Sequence, residues 1–203
     1  MTLKTVYFDL GNVLIFFSLP KLFSNLSQCT GLNPEKIENF LYRTDLREQY
    51  EKGLIRTEEL YQKFSNVATK SFSLLAFTAA FSDIFTPNYE IWPLVKQLKD
   101  QGMRLVLLSN TSECHFKHAD THYPVLQLFD HKVLSYEIGA WKPDQKIFHH
   151  ALKFAKCAPE ECFYIDDIPE FIENARIAGL PGEIFTDVPK LKQQLIQRGC
   201  QFF

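Results

Sequence analysis

Small polar and acidic residues directly follow three short apolar segments of the chain. They are Asp9 after residues 5–8, Ser109-Asn110-Thr111 after residues 104–108, and Asp166-Asp167 after residues 162–165. Three carboxylates at one place repel each other unless a cation lies between them, and oxygen ligands suit Mg²⁺. If the fold brings these positions together, the residue types predict a magnesium site that can carry out phosphoryl transfer.

The apolar segments have the composition of buried β-strands, because they are short, rich in Val, Leu, Ile, Phe and Tyr, and bounded by polar residues. We predict strands over residues 5–8, 104–108, 162–165 and 183–185, with a weaker candidate over 132–134. Apolar residues at helical spacing predict helices over 89–101 and 144–154. Alternating strands and helices favour a parallel sheet with helices on both faces, whose ligand site lies beyond the carboxyl ends of the strands.

Residues 16–87 contain helical patterns and no convincing strand. Thr57 is a predicted N-cap, and Gly53 is a predicted helix stop. Since so long a connection is not structureless in a compact protein, we expect it to form a helical cap with its own small core. The predicted core domain therefore comprises residues 1–15 and 88–203, and the inserted cap comprises residues 16–87.

A lysine in the second half of the chain is a candidate for the positive charge that a phosphate site needs. Lys142 precedes Pro143, which disfavours helical geometry at Lys142 and frees its side chain to turn toward the strand ends. Each candidate taken alone has a structural explanation: a turn for Asp9, a helix cap for Ser109 or Asp166, and a solvated surface for Lys142. Their coincidence at three strand ends favours a functional site.

The composition excludes some classes of function. The chain has 203 residues, 46% of them apolar and 23% charged, with a net charge of -2. Neither a nucleic acid nor a membrane is an expected partner, because there is no strong net charge and no apolar stretch of the roughly 18 residues that span a bilayer. Five scattered cysteines without a C-x-x-C pair indicate reduced thiols and a cytoplasmic protein.

The motifs together resemble the haloacid dehalogenase superfamily, in order and over nearly the whole chain. The corresponding segments are Phe8-Asp9-Leu10-Gly11-Asn12-Val13-Leu14, Leu108-Ser109-Asn110-Thr111, Lys142-Pro143-Asp144 with Ile147-Phe148, and Tyr164-Ile165-Asp166-Asp167 through Ala178-Gly179. The wording of the first motif is similar to the branch that contains bacterial glucose-1-phosphate phosphatases. The resemblance implies an α/β fold, with a Rossmann-like parallel sheet and an inserted helical cap.

The resemblance also implies roles for individual residues. Asp9 would attack phosphorus to form an aspartyl-phosphate, and Lys142 would steady both Asp9 and the phosphoryl group. Ser109 and the backbone N–H of Asn110 would bind phosphate oxygens. The metal would be Mg²⁺, and its ligands would be Asp9, the Gly11 carbonyl, Asp167 directly, and Asp166 beside it. The expected activity is magnesium-dependent hydrolysis of a small phosphorylated metabolite.

Two positions depart from the family's pattern. Gly11 stands where the phosphatases usually carry a second Asp as general acid, and Phe171 stands where many relatives place a polar residue. General acid catalysis contributes about 10²–10⁴-fold in rate, so poor leaving groups should suffer most from its loss. A sugar 1-phosphate, whose ring oxygen eases departure, is therefore the predicted substrate.

Two other functions remain open at this stage. The first is a metal-independent 2-haloacid dehalogenase, since those relatives also lack the second Asp; the paired acids Asp166 and Asp167 count against it. The second is a catalytically weak phosphate-binding or regulatory protein, which Gly11 and Phe171 suggest. The physiological substrate and the oligomeric state, monomer or homodimer, are not readable from the sequence.

Overall fold

The computed structural model describes residues 3–202, in which seven strands and eleven α-helices alternate. The strands are β1 Thr5–Phe8, β2 Ile15–Phe17, β3 Phe85–Pro87, β4 Arg104–Ser109, β5 His131–Leu134, β6 Cys162–Asp166 and β7 Gly182–Ile184. The helices are α1 Leu19–Thr30, α2 Pro34–Tyr42, α3 Leu46–Glu51, α4 Thr57–Ser65, α5 Leu74–Ser82, α6 Trp92–Asp100, α7 Glu113–His122, α8 Ser135–Ile138, α9 Gln145–Leu152, α10 Pro169–Ile177 and α11 Val188–Gln197.

Five of the strands form one parallel sheet in the order β5-β4-β1-β6-β7. The central strand β1 is buried on both faces, which explains why the apolar side chains of Val6, Tyr7 and Phe8 follow one another. Phe8 belongs to an apolar cluster with residues of α6, α7 and α11, and Tyr7 to a second cluster with residues of α9 and α10. The predicted α/β fold with helices on both faces of a parallel sheet is confirmed, as are all five predicted core strands and the two predicted helices.

The prediction of no strand in residues 16–87 is wrong. β2 and β3 pair antiparallel at the two ends of this segment, with Phe17 opposite Phe85. Each strand has only three residues, and Phe16 and Phe17 are more than 40% exposed, so neither alternation nor burial marked the strand. The pairing joins residues far apart in sequence, and no local turn signal announces it.

Helices α1 to α5 lie between the two strands of this ribbon and share an apolar cluster of their own. Aromatic rings dominate its centre: Phe64 lies 5.0 Å from Phe40 and 5.2 Å from Phe77 between ring centroids. Such a cluster is what an inserted cap requires, since helices need an apolar partner surface. The domain boundaries, residues 1–15 with 88–203 and residues 16–87, stay a prediction.

Two local predictions in the insertion have different outcomes. Thr57 is the first residue of α4, and Arg56 precedes the helix with its N–H donating to Glu59 Oε2 at 2.9 Å, so the predicted cap is misplaced by one residue. Gly53 follows α3 with a φ of +65°, as a helix stop requires. A Cβ atom there would lie 2.0 Å from the Tyr136 carbonyl oxygen, so a side chain at Gly53 would collide with the backbone of α8.

None of the helices within residues 3–202 combines the length and the apolar character that crossing a bilayer requires.

Candidate active site

Asp9 lies at the carboxyl end of β1, the central strand of the sheet, and is only 7% exposed. Its backbone N–H donates to the Ile165 carbonyl at 2.9 Å, which continues the pairing of β1 with β6 by one residue. The parallel arrangement therefore holds the Asp9 carboxylate between the ends of β4 and β6, where the other candidate residues lie.

Lys142 is the centre of the hydrogen-bond network at this edge of the sheet. Its ammonium lies 2.8 Å from Asp9 Oδ1 and 2.6 Å from Asp166 Oδ2, and also contacts the Tyr164 hydroxyl at 3.0 Å. Only 2% of Lys142 is exposed, so this positive charge depends on the two carboxylates for compensation. The functional interpretation of Lys142 fits this placement, and the surface interpretation does not.

Asn110 holds the backbone of Lys142 in place. The Lys142 N–H donates to Asn110 Oδ1 at 2.7 Å, and Asn110 Nδ2 donates to the Lys142 carbonyl at 2.9 Å. Because the Asn110 side chain is used in this reciprocal pair, a phosphate would meet this residue through the backbone rather than the amide side chain. That is the contact which the family resemblance implies.

Asp166 and Asp167 are adjacent in sequence but have different surroundings. Asp166 is fully buried; its Oδ2 accepts hydrogen bonds from Lys142 and Tyr164, and its Oδ1 accepts one from the Ile168 N–H at 2.9 Å. Asp167 is half-buried, and its Oδ2 accepts a hydrogen bond from Asn12 Nδ2 at 3.1 Å. The two side chains therefore differ in how much of each carboxylate is already engaged.

The carboxylates of Asp9, Asp166 and Asp167 each offer an oxygen within 4.8 Å of the others. Three carboxylates and the Lys142 ammonium have a formal charge of -2, which a divalent cation would neutralise. The all-oxygen donor set fits Mg²⁺. Both oxygens of Asp166 already accept hydrogen bonds, so Asp9 and Asp167 are better suited to direct coordination.

Burial dominates the electrostatics of the site. It raises the pKa of Asp9 to about 7, although the Lys142 charge opposes the shift. Burial alone would lower the pKa of Lys142, but Asp166 and Asp9 act in the opposite direction and leave that pKa above its usual value. Burial also raises the pKa of Asp167. Without a cation, the site holds its negative charges at a cost.

Ser109 ends β4, next to Asp9, and is 1% exposed. Ser109, Asn110 and Gly11 line a cavity of about 100 Å³, together with residues of the helical insertion, the ribbon and α7. The structure thus brings together every site residue that the sequence singled out: Asp9, Gly11, Ser109, Asn110, Lys142, Asp166 and Asp167. Their proposed roles remain predictions.

Five contacts at the site were not predicted from the sequence. Tyr164 bonds Lys142 and Asp166, and Asn12 bonds Asp167. The Phe171 ring lies 5.0 Å from the Lys142 ammonium, so the apolar residue at this departure from the family pattern makes a cation–π contact. A Cβ atom at Gly11 would lie 3.1 Å from Phe17, which therefore fills the space beside the glycine. Because side chains two residues apart on a strand lie on the same face, the sequence of β6 could have indicated that Tyr164 lies beside Asp166. No local sequence pattern indicates that Phe17 lies beside Gly11.

Comparison with known proteins gives consistent results. A model of the haloacid dehalogenase-like hydrolases matches residues 3–179. A sesquiterpene phosphatase of Aspergillus oryzae is 25% identical over 92% of this chain and 91% of its own length, and a phosphatase of Mycobacterium tuberculosis is 24% identical over 89% and 86%. A haloacid dehalogenase family enzyme of Bacteroides thetaiotaomicron, crystallised with magnesium and inorganic phosphate, is 27% identical with a TM-score of 0.79, covering 90% of this chain and 93% of that one.

Proposed function

The chain belongs to the haloacid dehalogenase-like hydrolases, and we propose that it is a magnesium-dependent phosphatase in which Asp9 takes the phosphoryl group from a small phosphorylated metabolite. The observation that carries the proposal is the buried network in which Lys142 bridges Asp9 and Asp166 while Asp167 completes a charge of -2. The Aspergillus and Mycobacterium relatives are both phosphatases by name, which supports the same reaction.

Asp9, Asp167 and the Gly11 carbonyl would hold the cation, with Asp166 beside it. When bound, Mg²⁺ would favour the ionised form of Asp9 and offset charge on the transferring phosphoryl group. The magnesium and phosphate in the Bacteroides structure support this assignment. Asn12 would orient Asp167 through the 3.1 Å hydrogen bond, and Tyr164 would orient Asp166 in the same way.

The protein's own residues supply the nucleophile and the phosphate contacts. Asp9 forms a bond to phosphorus while the bond from phosphorus to the alcohol oxygen breaks, and the departing alcohol takes a proton from water. The remaining hydroxide cleaves the aspartyl-phosphate, which restores the Asp9 carboxylate and releases hydrogen phosphate. Ser109 and the Asn110 N–H would bind phosphate oxygens during both steps, and Lys142 would compensate the charge.

The finer proposal is that, among sugar phosphates, a 1-phosphate reacts faster than a 6-phosphate. It rests on Gly11, which offers no side-chain acid, so that esters with readily departing alcohols should react fastest. Glucose 1-phosphate should then have a higher kcat/KM than glucose 6-phosphate. A preference for the 6-phosphate would mean that another group donates the proton or that the cavity overrides leaving-group chemistry.

The test is release of inorganic phosphate from a panel of phosphate esters, measured with Mg²⁺ and with a strong chelator. Wild type should require Mg²⁺, and Asp9→Asn should be inactive. Asp100→Asn is a matched control, because Asp100 is an exposed partner of Lys96 on α6 and should leave turnover unchanged. Full turnover in the chelator, with halide released from 2-haloacids, would support the dehalogenase alternative instead. Phosphate binding without turnover of any ester would support the regulatory one.

A further inference from the structure

The cavity beside Asp9 is lined by residues of two kinds. The phosphate-binding candidates Ser109 and Asn110 line it together with apolar side chains of the helical insertion and the ribbon. These apolar residues include Leu19, Leu22, Leu41, Phe81, Ile84 and Phe85. Because both kinds of residue line the same cavity, the alcohol of an ester whose phosphate binds at Ser109 would lie close to the apolar side chains.

The charged groups in the wall are already paired with each other. Arg47 donates two hydrogen bonds to the Glu51 carboxylate, at 2.7 and 3.3 Å, and its guanidinium lies 4.9 Å from the centre of the Tyr42 ring. This bidentate pair uses two of the five N–H donors of Arg47 and compensates its charge within the wall. The Tyr50 hydroxyl is likewise engaged, 2.8 Å from Thr57 Oγ1.

The histidine in the wall is neutral and stacked. His115 is partly buried, its Nε2 lies 3.0 Å from the Phe81 carbonyl oxygen, and its ring centroid is 4.7 Å from that of Phe81. Burial lowers the pKa of His115 to about 4, so no positive charge is present here at neutral pH. His115 therefore extends the aromatic surface of the cavity rather than offering a cation or a free donor.

Resting on the phosphatase activity proposed above, we infer that this cavity selects phosphate monoesters whose alcohol is apolar, such as short branched alkyl or aryl alcohols. A polyhydroxylated alcohol would lose water from each hydroxyl on entering and would find few unpaired partners in the wall. An apolar group has no hydroxyl to desolvate, and its transfer from water into the cavity is favourable. At about 100 Å³ the cavity is smaller than a void of about 150 Å³ that admits benzene, so the alcohol should be small.

The wild-type test compares 3-methylbutyl phosphate with glycerol 3-phosphate, both esters of primary alcohols. The hydroxyl groups of glycerol withdraw charge from the departing oxygen, so leaving-group chemistry alone favours glycerol 3-phosphate. We expect the opposite order, with kcat/KM about tenfold or more higher for 3-methylbutyl phosphate, as apolar pockets discriminate. Equal rates, or a preference for glycerol 3-phosphate, would overturn the inference.

Two neighbouring phenylalanines of β2 provide a matched pair of variants. Phe17 lines the cavity, whereas Phe16 is similarly exposed and does not. Phe17→Ser should lower the ratio of the two kcat/KM values by about tenfold, and Phe16→Ser should leave the ratio as it is in wild type. An equal change of the ratio in both variants would show that the ribbon, and not the cavity wall, sets the preference, and would overturn the inference.

The outcomes separate this inference from the proposed function. Phosphate release that depends on Mg²⁺ and Asp9 but favours glycerol 3-phosphate or glucose 1-phosphate would leave the phosphatase in place and remove the apolar selection. Absence of phosphate release from every ester, including phenyl phosphate, would remove both.

Discussion

The strand ends of the sheet and the neighbouring cavity are stabilised in opposite ways. At the strand ends, Lys142, Asp9 and Asp166 satisfy each other, so that removing one group leaves a buried charge without its partner. In the cavity wall the side chains are mostly apolar, and removing one leaves space. We therefore expect larger losses of stability or activity from changes at the strand ends than from changes in the cavity wall.

The largest effect is expected for Asp9→Asn. The amide cannot attack phosphorus, so turnover should fall by at least about 10³-fold, as for other removed nucleophiles. Single-turnover phosphate release measures the loss, and circular dichroism establishes that the variant is folded. Retention of more than a few per cent of wild-type turnover in a preparation free of contaminating phosphatase would contradict the assignment of Asp9.

Lys142→Met tests whether the strand-end network stabilises the fold. It leaves Asp9 and Asp166 buried without a positive partner, and the free energy of unfolding at pH 8 should fall by about 3–5 kcal/mol. Urea denaturation of the metal-free protein measures it. In Lys142→Met/Asp166→Asn the loss should be smaller, because one stranded charge is removed. Equal losses in the single and double variants would mean that packing, not charge, explains the destabilisation.

Asp167→Asn and Asp166→Asn form a matched pair within the network. We expect Asp167→Asn to raise the Mg²⁺ concentration for half-maximal activity by about tenfold or more, since a direct ligand is weakened. Asp166→Asn should act more on stability, because Asp166 is fully buried and bonded to Lys142 and Tyr164. Titration of activity with Mg²⁺, alongside urea denaturation, separates the two effects. The reverse pattern would exchange the proposed roles.

Gly11 lies where the strand ends and the cavity meet, and Phe17 fills the space that a side chain there would need. Gly11→Asp alone should therefore give little gain with glucose 6-phosphate. Gly11→Asp/Phe17→Ala makes room, and kcat for glucose 6-phosphate should rise by about tenfold, less than the roughly 10²–10⁴-fold that a well-positioned general acid supplies. Phe17→Ala alone is the control. A gain with Gly11→Asp alone would show that Phe17 does not obstruct this position.

The smallest effect concerns the pH dependence of stability in the metal-free protein. Burial raises the pKa of Asp9 from 3.8 to about 7, so its stabilising contribution is complete below pH 3.8 and is lost as the pH rises toward 7. Asp9→Asn should remove this dependence, and the variant should gain stability relative to wild type at pH 8 compared with pH 5. Urea denaturation at the two pH values measures it. If wild type instead became more stable relative to Asp9→Asn as the pH rises from 5 to 8, the raised pKa of Asp9 would be contradicted.

Much of the sheet was predictable because its strands are buried on both faces. A strand such as β1 must be apolar throughout, and this makes it visible in the sequence. The ribbon of β2 and β3 was missed because its three-residue strands are partly exposed and pair across five helices. The predicted cap of α4 at Thr57 was misplaced by one residue. The Glu59 side chain, and not that of Thr57, accepts the hydrogen bond from the Arg56 N–H at the start of the helix.

The sequence by itself determined which residue types stand at the strand ends, since Asp9, Ser109 and Asp166 each directly follow or close an apolar segment. Parallel pairing then had to bring these positions to one edge. Only the tertiary structure decided how the groups divide the work there. The bonds of Lys142 to Tyr164 and of Asn12 to Asp167, and the approach of Phe17 to Gly11, join separate segments of the chain, and their geometry depends on packing that no local pattern encodes.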